Sequence, residues 1–184
     1  RQRQMCIRDR SKDSQAEIEK YKRVSDEKLY GDNDLVDEKH LARHCIGLSG
    51  IGFSDEEIED LADRIREMKK KDTQICCSIG FLTEKQARIL KDAGLDRINH
   101  NLNSSRSFYP EICTTHTYDQ RVNNIKMLQS LGFEICSGGI VGMGESKEDI
   151  VDMLMDLREI NPESVPINFL LPIPGTRLAD RDIS

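Results

Sequence analysis

The sequence predicts an incomplete (βα)8 barrel, an α/β fold in which parallel strands alternate with helices. From residue 44 onward, five strand-like segments alternate with four helical segments, at roughly one unit per 30 residues. A doubly wound sheet shares this alternation, but polar residues recur in strand after strand and no glycine fingerprint follows the first strand. A complete barrel takes about 250 residues and eight strands, so this chain is expected to hold about five to six βα units.

Each strand is predicted from a short run that is rich in apolar and β-branched residues. The runs are "HCIGLS" (44–49), "QICCSIG" (74–80), "RINHNL" (97–102), "FEICSGGIVG" (133–142) and "SVPINFL" (164–170). The helices are predicted at 55–71, 84–93, 118–131 and 147–160. Each begins at a capping residue, and two of them end at a glycine. The caps are Ser54, Thr83, Thr117 and Ser146, and the glycines are Gly94 and Gly132.

The first 44 residues follow a less regular pattern. The basic segment 1–10, "RQRQMCIRDR", shows no periodicity in an acidic chain, so we interpret it as a non-native or artefactual leader. The barrel domain is then expected at 11–184. Residues 14–25 fit a loop or a short helix. Residues 29–44 occupy the place of a crossover helix, although Gly31 and several acidic residues leave a loop open.

Composition excludes several classes of function. The formal net charge is −6 and the chain has no long basic cluster, so nucleic acid is not expected as a partner. No apolar run approaches the about 20 residues of a membrane span, and no signal-peptide pattern is seen. Six cysteines in a helix-rich chain of this length indicate reduced thiols in a cytosol-like compartment, here the cytoplasm.

Cysteines recur on three of the predicted strands, as Cys45, as Cys76 or Cys77, and as Cys136. Neighbouring strand residues face opposite sides, so only one of Cys76 and Cys77 can face the barrel interior. Free cysteine often packs in the core as a small hydrophobic residue, and one interpretation is that all of these cysteines do so. The other is that thiolates from separate strands converge and hold iron, which prefers soft sulfur ligands.

Asparagines line one face of the third predicted strand. Asn99, Asn101 and Asn103 alternate with the period of a strand, and His100 between them is expected to be a core histidine on the opposite face. Asn168 lies within an apolar strand, where a buried amide must find partners. Such an amide either hydrogen-bonds a loop or contacts a ligand from a fixed position.

Glycines follow the fourth strand in "CSGGIVGMGE" (136–145), where the backbone can approach a ligand or simply form a loose turn. Cys113 and His116 lie in the loop "PEICTTHTY" (110–118). We expect Cys113 to be structural and His116 to lie at the surface, with contact to a ligand as the alternative for His116.

Five segments in the same order resemble biotin synthases. They are "QICCSIGFLTEKQARILKDAGLDR", "INHNLNSS", "FYPEICTTHTYDQR", "CSGGIVGMGES" and "SVPINFLLPIPGT", and the likeness runs from about residue 11 to the C-terminus. The resemblance implies a (βα) barrel of the radical S-adenosylmethionine (SAM) type. It also implies a sulfur-transferring enzyme that inserts sulfur into dethiobiotin to form biotin.

The cofactors of that family are SAM, a [4Fe–4S] cluster and a [2Fe–2S] cluster. The [4Fe–4S] cluster cleaves SAM to a 5′-deoxyadenosyl radical, which abstracts hydrogen from dethiobiotin. The [2Fe–2S] cluster is thought to supply the sulfur. The resemblance also implies an electron donor such as flavodoxin or ferredoxin, and a homodimer.

Residue by residue, the resemblance assigns Cys45, Cys76 and Cys136 to the [2Fe–2S] cluster. It assigns Asn99 and Asn168 to dethiobiotin. The positions that match SAM-contacting residues or the SAM-side loop are Asn101, Asn103, Gly138 and Gly139.

The [4Fe–4S] ligands are not found in the sequence. The family motif CxxxCxxC should end near position 8, which holds Arg8, and Cys6 is out of register. The chain is therefore expected to be inactive alone. Two alternatives remain: another radical SAM barrel of cofactor assembly, which would lack the "NHNL" and "VPIN" pair, or a non-catalytic α/β fragment with core cysteines.

Overall fold

The computed structural model describes residues 24–48, 50, 52–172, 174 and 178–179. The expected leader at 1–10 and most of the segment 14–25 lie outside these residues. The chain forms two compact units. The first unit comprises the described residues of Lys20–Asn99 and Met127–Ile135, and the second comprises those of His100–Lys126 and Cys136–Ser184.

Parallel strands and helices alternate in the first unit. Its sheet has the strand order β1-β2-β3-β4, and β1 pairs in parallel with β2, as β2 does with β3. The elements are α1 (Asp26–Glu38), β1 (Arg43–Gly47), α2 (Asp55–Met68), β2 (Gln74–Ser78), α3 (Glu84–Asp92), β3 (Arg97–Asn99) and β4 (Glu134–Cys136). The last residue of β4, Cys136, is assigned to the second unit.

Side-chain caps begin the helices of the first unit where the sequence predicts them. Ser54 forms a capping box with Glu57, and Thr83 forms one with Gln86. The region 29–44, left open above, contains most of helix α1, which is capped by Ser25. Gly31 lies within α1 without breaking it.

The two faces of the sheet differ in chemistry. Cys45, Cys76 and Arg97 are aligned across β1, β2 and β3, and the adjacent row of Ile46, Cys77 and Ile98 faces the opposite side. Cys77 and Ile98 are fully buried, as are Ile58 and Ile65 of α2. The apolar face is therefore the core face, and the face of Cys45 is the polar one.

The second unit contains a two-stranded parallel sheet, in which Ile140 is aligned with Asn168. Its helices include the short α4, which the sequence analysis did not predict. The elements are α4 (Tyr109–Ile112), α5 (Tyr118–Ser130, whose end enters the first unit), β5 (Gly139–Val141), α6 (Lys147–Ile160) and β6 (Ile167–Phe169). No helix in the described part of the chain is long and apolar enough to cross a membrane.

Three strand predictions are wrong in extent. The run 164–170 forms a strand only at Ile167–Phe169. The run 133–142 forms two strands, because the backbone N–H of Gly138 donates to the side chain of Asn101. The third strand ends at Asn99, and Asn103 further on has a left-handed backbone with φ 72°. Asparagine tolerates that conformation better than most residues, so the chain can turn there.

Candidate functional site

Two thiols lie side by side on the polar face of the first unit. Cys45 is exposed, Cys76 is 1% exposed, and the two are aligned on neighbouring strands. A hydrogen bond from the Cys76 side chain lowers the pKa of Cys45 to about 6, assisted by Arg43 and Arg97 and opposed by burial. The pair therefore presents a thiolate close to neutral pH, which is the form that binds metals.

Cys77 has a different environment from its neighbour. It is completely buried on the core face, and burial raises the pKa of its thiol to about 12. A thiol in that position stays protonated and packs as a hydrophobe. Cys76, and not Cys77, is thus the residue that shares a face with Cys45.

The next position on the polar face is Asn99. It is aligned with Ser78, two residues beyond Cys76, and its Oδ1 atom accepts a hydrogen bond from the Cys76 thiol at 3.5 Å. Two residues that the resemblance assigns to different ligands are therefore in direct contact. While the Cys76 proton is directed at Oδ1, the amide Nδ2 of Asn99 remains available as a donor.

Charged side chains complete this face. Arg97 donates to Glu134 Oε2 from Nε at 2.9 Å and from an η nitrogen at 2.5 Å. Arg43 reaches the same oxygen at 3.4 Å and Oε1 of Gln74 at 2.5 Å. These residues were not predicted from the sequence, because single charged residues at strand starts carry no motif.

In the second unit, the predicted SAM residues are joined by hydrogen bonds. Asn101 Oδ1 accepts the backbone N–H of Gly138 at 3.1 Å, and the backbone N–H of Asn103 donates to the Gly138 carbonyl at 2.9 Å. Ile140 N–H donates to the Asn103 carbonyl, and Asn103 Nδ2 donates to the Asn101 carbonyl at 3.1 Å. The amides therefore have a structural role in this segment.

One buried acceptor remains open among these contacts. Asn103 is 2% exposed, and its Oδ1 atom has no hydrogen-bond partner among the described residues. The hydroxyls of Ser104 and Ser137 are in the same situation. Buried polar atoms usually have a partner in native proteins, so an open acceptor is consistent with a ligand that donates a hydrogen bond.

Close packing surrounds both Gly138 and Gly139. A Cβ atom on Gly138 would overlap the carbonyl oxygen of Pro166, and one on Gly139 would overlap the sulfur of Met153. Both glycines allow their backbone to lie close to other atoms, but these atoms belong to this chain and not to a ligand. The ligand-approach interpretation from the sequence is therefore not needed to explain either glycine.

The loop after β5 is held by a carboxylate. Glu145 accepts the backbone N–H of Gly142 at 2.6 Å and that of Met143 at 2.7 Å. Gly142 has a φ of 97°, a backbone conformation that favours glycine. Glu145 thus stabilises the loop that the resemblance associates with SAM.

A second carboxylate anchors the segment after Asn103. Asp149 accepts hydrogen bonds from the hydroxyls of Ser105 and Ser107, both at 2.6 Å, and is part of the capping box of Ser146. These hydrogen bonds, the one from Ser105 first, hold its pKa well below the usual range. The cap at Ser146 was predicted from the sequence, whereas the role of Asp149 in it and its hydrogen bonds to the serines were not.

The remaining predicted ligands lie in the second unit. Cys136 forms an isolated bridge with Ser164, and Asn168 lies on β6 opposite Ile140. Among the described residues, no group of three or more His, Cys, Asp or Glu side chains is close enough to hold a metal ion. The convergence of Cys45, Cys76 and Cys136 on one cluster therefore stays a prediction.

His100 is 1% exposed, in agreement with the expected core position. His116 differs from its expected surface position. It is partly buried, lies 3.5 Å from the Cys113 sulfur through Nδ1, and contacts Tyr109 and Arg121 through Nε2 at 2.8 Å and 2.6 Å. Burial opposes ionisation of Cys113, but hydrogen bonds from His116 and Thr115 outweigh it and lower the pKa of the thiol to about 6.

The fold and these sites define the class of protein. Residues 5–157 match the model of the Radical SAM superfamily, and the chain belongs to that superfamily. Similar solved structures include a methylornithine synthase, with a TM-score of 0.81 at 17% identity over 92% of this chain and 52% of that one. The hydrogenase maturase HydG from Carboxydothermus hydrogenoformans has a TM-score of 0.71 at 17% identity, over 91% of this chain and 42% of that one. The predicted fold class, a partial barrel of the radical SAM type, is confirmed.

Curated relatives specify the resemblance further. The chain is 44% identical to the biotin synthase of Sulfurihydrogenibium sp. (strain YO3AOP1) over 89% of this chain and 50% of that protein. It is 45% identical to the biotin synthase of Acaryochloris marina (strain MBIC 11017) over 92% of this chain and 49% of that protein. The resemblance to biotin synthases is confirmed, and the chain spans about half the length of these relatives.

Membership of the superfamily implies SAM and a [4Fe–4S] cluster. The six cysteines contain no CxxxCxxC spacing, so the residues present do not fit a [4Fe–4S] cluster. The Cys45–Cys76 pair does fit two adjacent thiolate ligands, because one of the thiols ionises near neutral pH. The open Oδ1 of buried Asn103 fits a hydroxyl donor such as those of the SAM ribose.

Proposed function

We propose that this chain is the barrel region of a biotin synthase, a radical SAM enzyme that inserts sulfur into dethiobiotin to form biotin. The observation that carries the proposal is the contiguous row of Cys45, Cys76 and Asn99 on one face of the first unit. The row combines two soft metal ligands with a neutral amide. That combination suits a site where a cluster and an uncharged substrate meet.

Cys45, Cys76 and Cys136 are the proposed protein ligands of a [2Fe–2S] cluster, which when bound would supply the sulfur for the product. The low pKa of Cys45 supports this role, because iron binds the thiolate and a thiol that is already ionised loses no proton on binding. Cys77 is left out of the proposed set, because its side chain lies on the core face, opposite to that of Cys45 and Cys76. Cys136, in the second unit, enters the set on the resemblance alone.

Asn99 and Asn168 are the proposed contacts of the dethiobiotin ureido ring. The amide Nδ2 of Asn99 is a hydrogen-bond donor, which suits the carbonyl oxygen of a urea. A neutral amide binds an uncharged urea without the desolvation penalty of a charged group. It also brings no acidic proton to the site.

Asn101, Asn103, Gly138 and Gly139 are the proposed SAM-side residues. The open Oδ1 of Asn103 would accept a hydrogen bond from a ribose hydroxyl. The hydrogen bonds of Asn101 and Asn103 to the Gly138 segment hold that acceptor in a fixed position. Chain rigidity before binding lowers the entropy cost of binding.

The complete enzyme is proposed to work in the cytoplasm as a homodimer, with flavodoxin or ferredoxin as the electron donor. We expect neither nucleic acid nor a membrane among its partners. Because the [4Fe–4S] ligands are missing from the sequence, this chain alone should not cleave SAM after reconstitution with iron and sulfide. Production of 5′-deoxyadenosine by the reconstituted chain would contradict that expectation.

Anaerobic reconstitution of this chain with iron and sulfide tests the cluster site. We expect bound iron and sulfide, with the visible absorption of a cluster, in the unmodified chain. Cys45→Ser, Cys76→Ser and Cys136→Ser should each lose most of the cluster. Cys77→Ser and Cys113→Ser are matched controls that change the same atom elsewhere and should retain it. Retention in Cys76→Ser with loss in Cys77→Ser, or no cluster in the unmodified chain, would overturn the assignment.

A further inference from the structure

Two arginines and one glutamate share the polar face with the cysteine pair. Arg43 precedes Cys45 by two residues on β1, so both side chains lie on the same face. Arg97 is aligned with Cys76 across β2 and β3. Glu134, on β4, is bound by both arginines. We call Arg43, Glu134 and Arg97 the charge triad.

The charge triad is partly shielded from water. The side chains of Arg43 and Arg97 are 23% and 13% exposed, and that of Glu134 is 39% exposed. Shielded charges act more strongly than those on an open surface, because less water screens them. Two positive charges and one negative charge leave a net charge of +1 beside the thiols.

The hydrogen bonds of the triad show which of the two arginines has the less compensated positive charge. Arg97 binds Glu134 through two nitrogens, so that this pair is neutral and firmly held. Arg43 reaches Glu134 only at 3.4 Å and makes its shorter bond, at 2.5 Å, to the neutral side chain of Gln74. The charge of Arg43 is therefore the less compensated of the two.

We propose that the charge triad sets a positive electrostatic potential at the Cys45–Cys76 pair, and thereby the reduction potential of an iron–sulfur cluster bound there. The cluster part rests on the proposed function. Thiolate-ligated clusters carry negative charge, and their reduction potentials depend on net charge and hydrogen bonds around the sulfurs. A positive potential stabilises the added electron, so the triad raises the reduction potential.

The potential at Cys45 can be measured on the iron-free chain by alkylation with two reagents. Iodoacetate is an anion and iodoacetamide is neutral. In both cases the thiolate sulfur forms a bond to carbon, the carbon–iodine bond breaks and iodide leaves. The rate ratio of iodoacetate to iodoacetamide at Cys45, followed by peptide mass spectrometry, reports the local potential. The thiolate fraction cancels in this ratio, because it is common to both reactions.

Arg43→Gln and Arg97→Gln should each lower that ratio about threefold, and Glu134→Gln should raise it about threefold, as expected for one unit charge several ångströms away in a largely aqueous medium. Arg97→Lys should keep the ratio near that of the unmodified chain, which separates charge from packing. Arg88→Gln and Glu84→Gln are matched controls in an exposed pair on α3, also at 2.5 Å, and should change nothing. Equal ratios in Arg97→Gln and Arg97→Lys, or no rise in Glu134→Gln, would overturn the proposal.

The reconstituted chain gives a second measurement. The reduction potential of its cluster should fall in Arg97→Gln and rise in Glu134→Gln, with iron content unchanged. Loss of iron in both variants without opposite shifts would mean that the triad has only a structural role. Failure of the unmodified chain to bind iron would refute the cluster assignment. The alkylation ratios would still decide whether the triad sets the potential at Cys45.

Discussion

The thiol of Cys76 donates a hydrogen bond to Oδ1 of Asn99 at 3.5 Å. This contact couples the orientation of an amide to a proposed metal ligand. In the metal-free chain, the proton of Cys76 holds an amide that could otherwise flip, with Nδ2 facing away from the sulfur. A Cys76 thiolate bound to iron would have no proton to donate, so cluster binding would release Oδ1 of Asn99 from this contact.

Asn99→Ala should lower the affinity for dethiobiotin about tenfold, the effect of losing one hydrogen bond of about 1.4 kcal/mol. Asn99→Asp should lower it further, because a carboxylate offers no donor to the urea carbonyl. Isothermal titration calorimetry with dethiobiotin measures both.

Asn123→Ala, on the exposed side of α5, is the control and should bind like the unmodified chain. If Asn99→Asp bound dethiobiotin as well as the unmodified chain, the donor role of Asn99 would be wrong.

The sequence predicted much of the first unit because its signals are local. Capping boxes depend on two residues three positions apart, so Ser54 and Thr83 identify their helices directly. The strand period also showed that only one of Cys76 and Cys77 can share the face of Cys45, and the resemblance selected Cys76. The strand register in the structure then shows that Cys76 is aligned with Cys45, which the spacing of the cysteines in the sequence could not show.

Other features arise from contacts between distant residues. Asn101 divides the predicted fourth strand by binding Gly138, 37 positions away, and Arg97 binds Glu134 at the same separation. Neither pair carries a local motif. An asparagine that pairs with a backbone N–H looks the same in the sequence as one that binds a ligand, so the structural role of Asn101 was not predicted.

Cys113 should make the stability of the chain depend on pH. Its pKa is lowered from 9.0 to about 6 in the folded chain, so the unfolded chain binds one more proton between these values. The free energy of unfolding should therefore rise with pH from 6 to 9, by at most about 1.4 kcal/mol per pH unit from this group. The contribution is complete above pH 9 and is lost as the pH falls through 6.

Urea denaturation at several pH values, compared between the unmodified chain and Cys113→Ser, isolates this contribution. Thr115→Val keeps the side-chain shape but removes one hydrogen bond to the sulfur, so it should reduce the slope. A difference between the unmodified chain and Cys113→Ser that is independent of pH would show that Cys113 does not titrate near 6.

Gly138→Ala and Gly139→Ala should differ in their cost to stability. The new methyl group at position 138 meets the backbone carbonyl of Pro166, which cannot move without disturbing β6. The methyl group at position 139 meets the flexible side chain of Met153. Over-packing should then cost about 3 kcal/mol or more at Gly138 and about 1–2 kcal/mol at Gly139.

Urea denaturation measures the order of these two losses. Met153→Ala should partly rescue the stability of Gly139→Ala but not that of Gly138→Ala. A larger loss in Gly139→Ala would contradict this account.

Asn103→Asp should lower the free energy of unfolding of the ligand-free chain but raise its affinity for a ligand that contains a ribose. Asn103 Nδ2 donates to the Asn101 carbonyl, and a carboxylate cannot replace that donor. At 2% exposure the free chain should lose about 1–3 kcal/mol of unfolding free energy, measured by urea denaturation. A carboxylate accepts hydroxyl hydrogen bonds more strongly than an amide, so affinity for S-adenosylhomocysteine should rise in the same variant. Asn123→Asp, on the exposed side of α5, should change neither quantity. A fall in both stability and affinity would mean that the open Oδ1 of Asn103 does not face the cofactor.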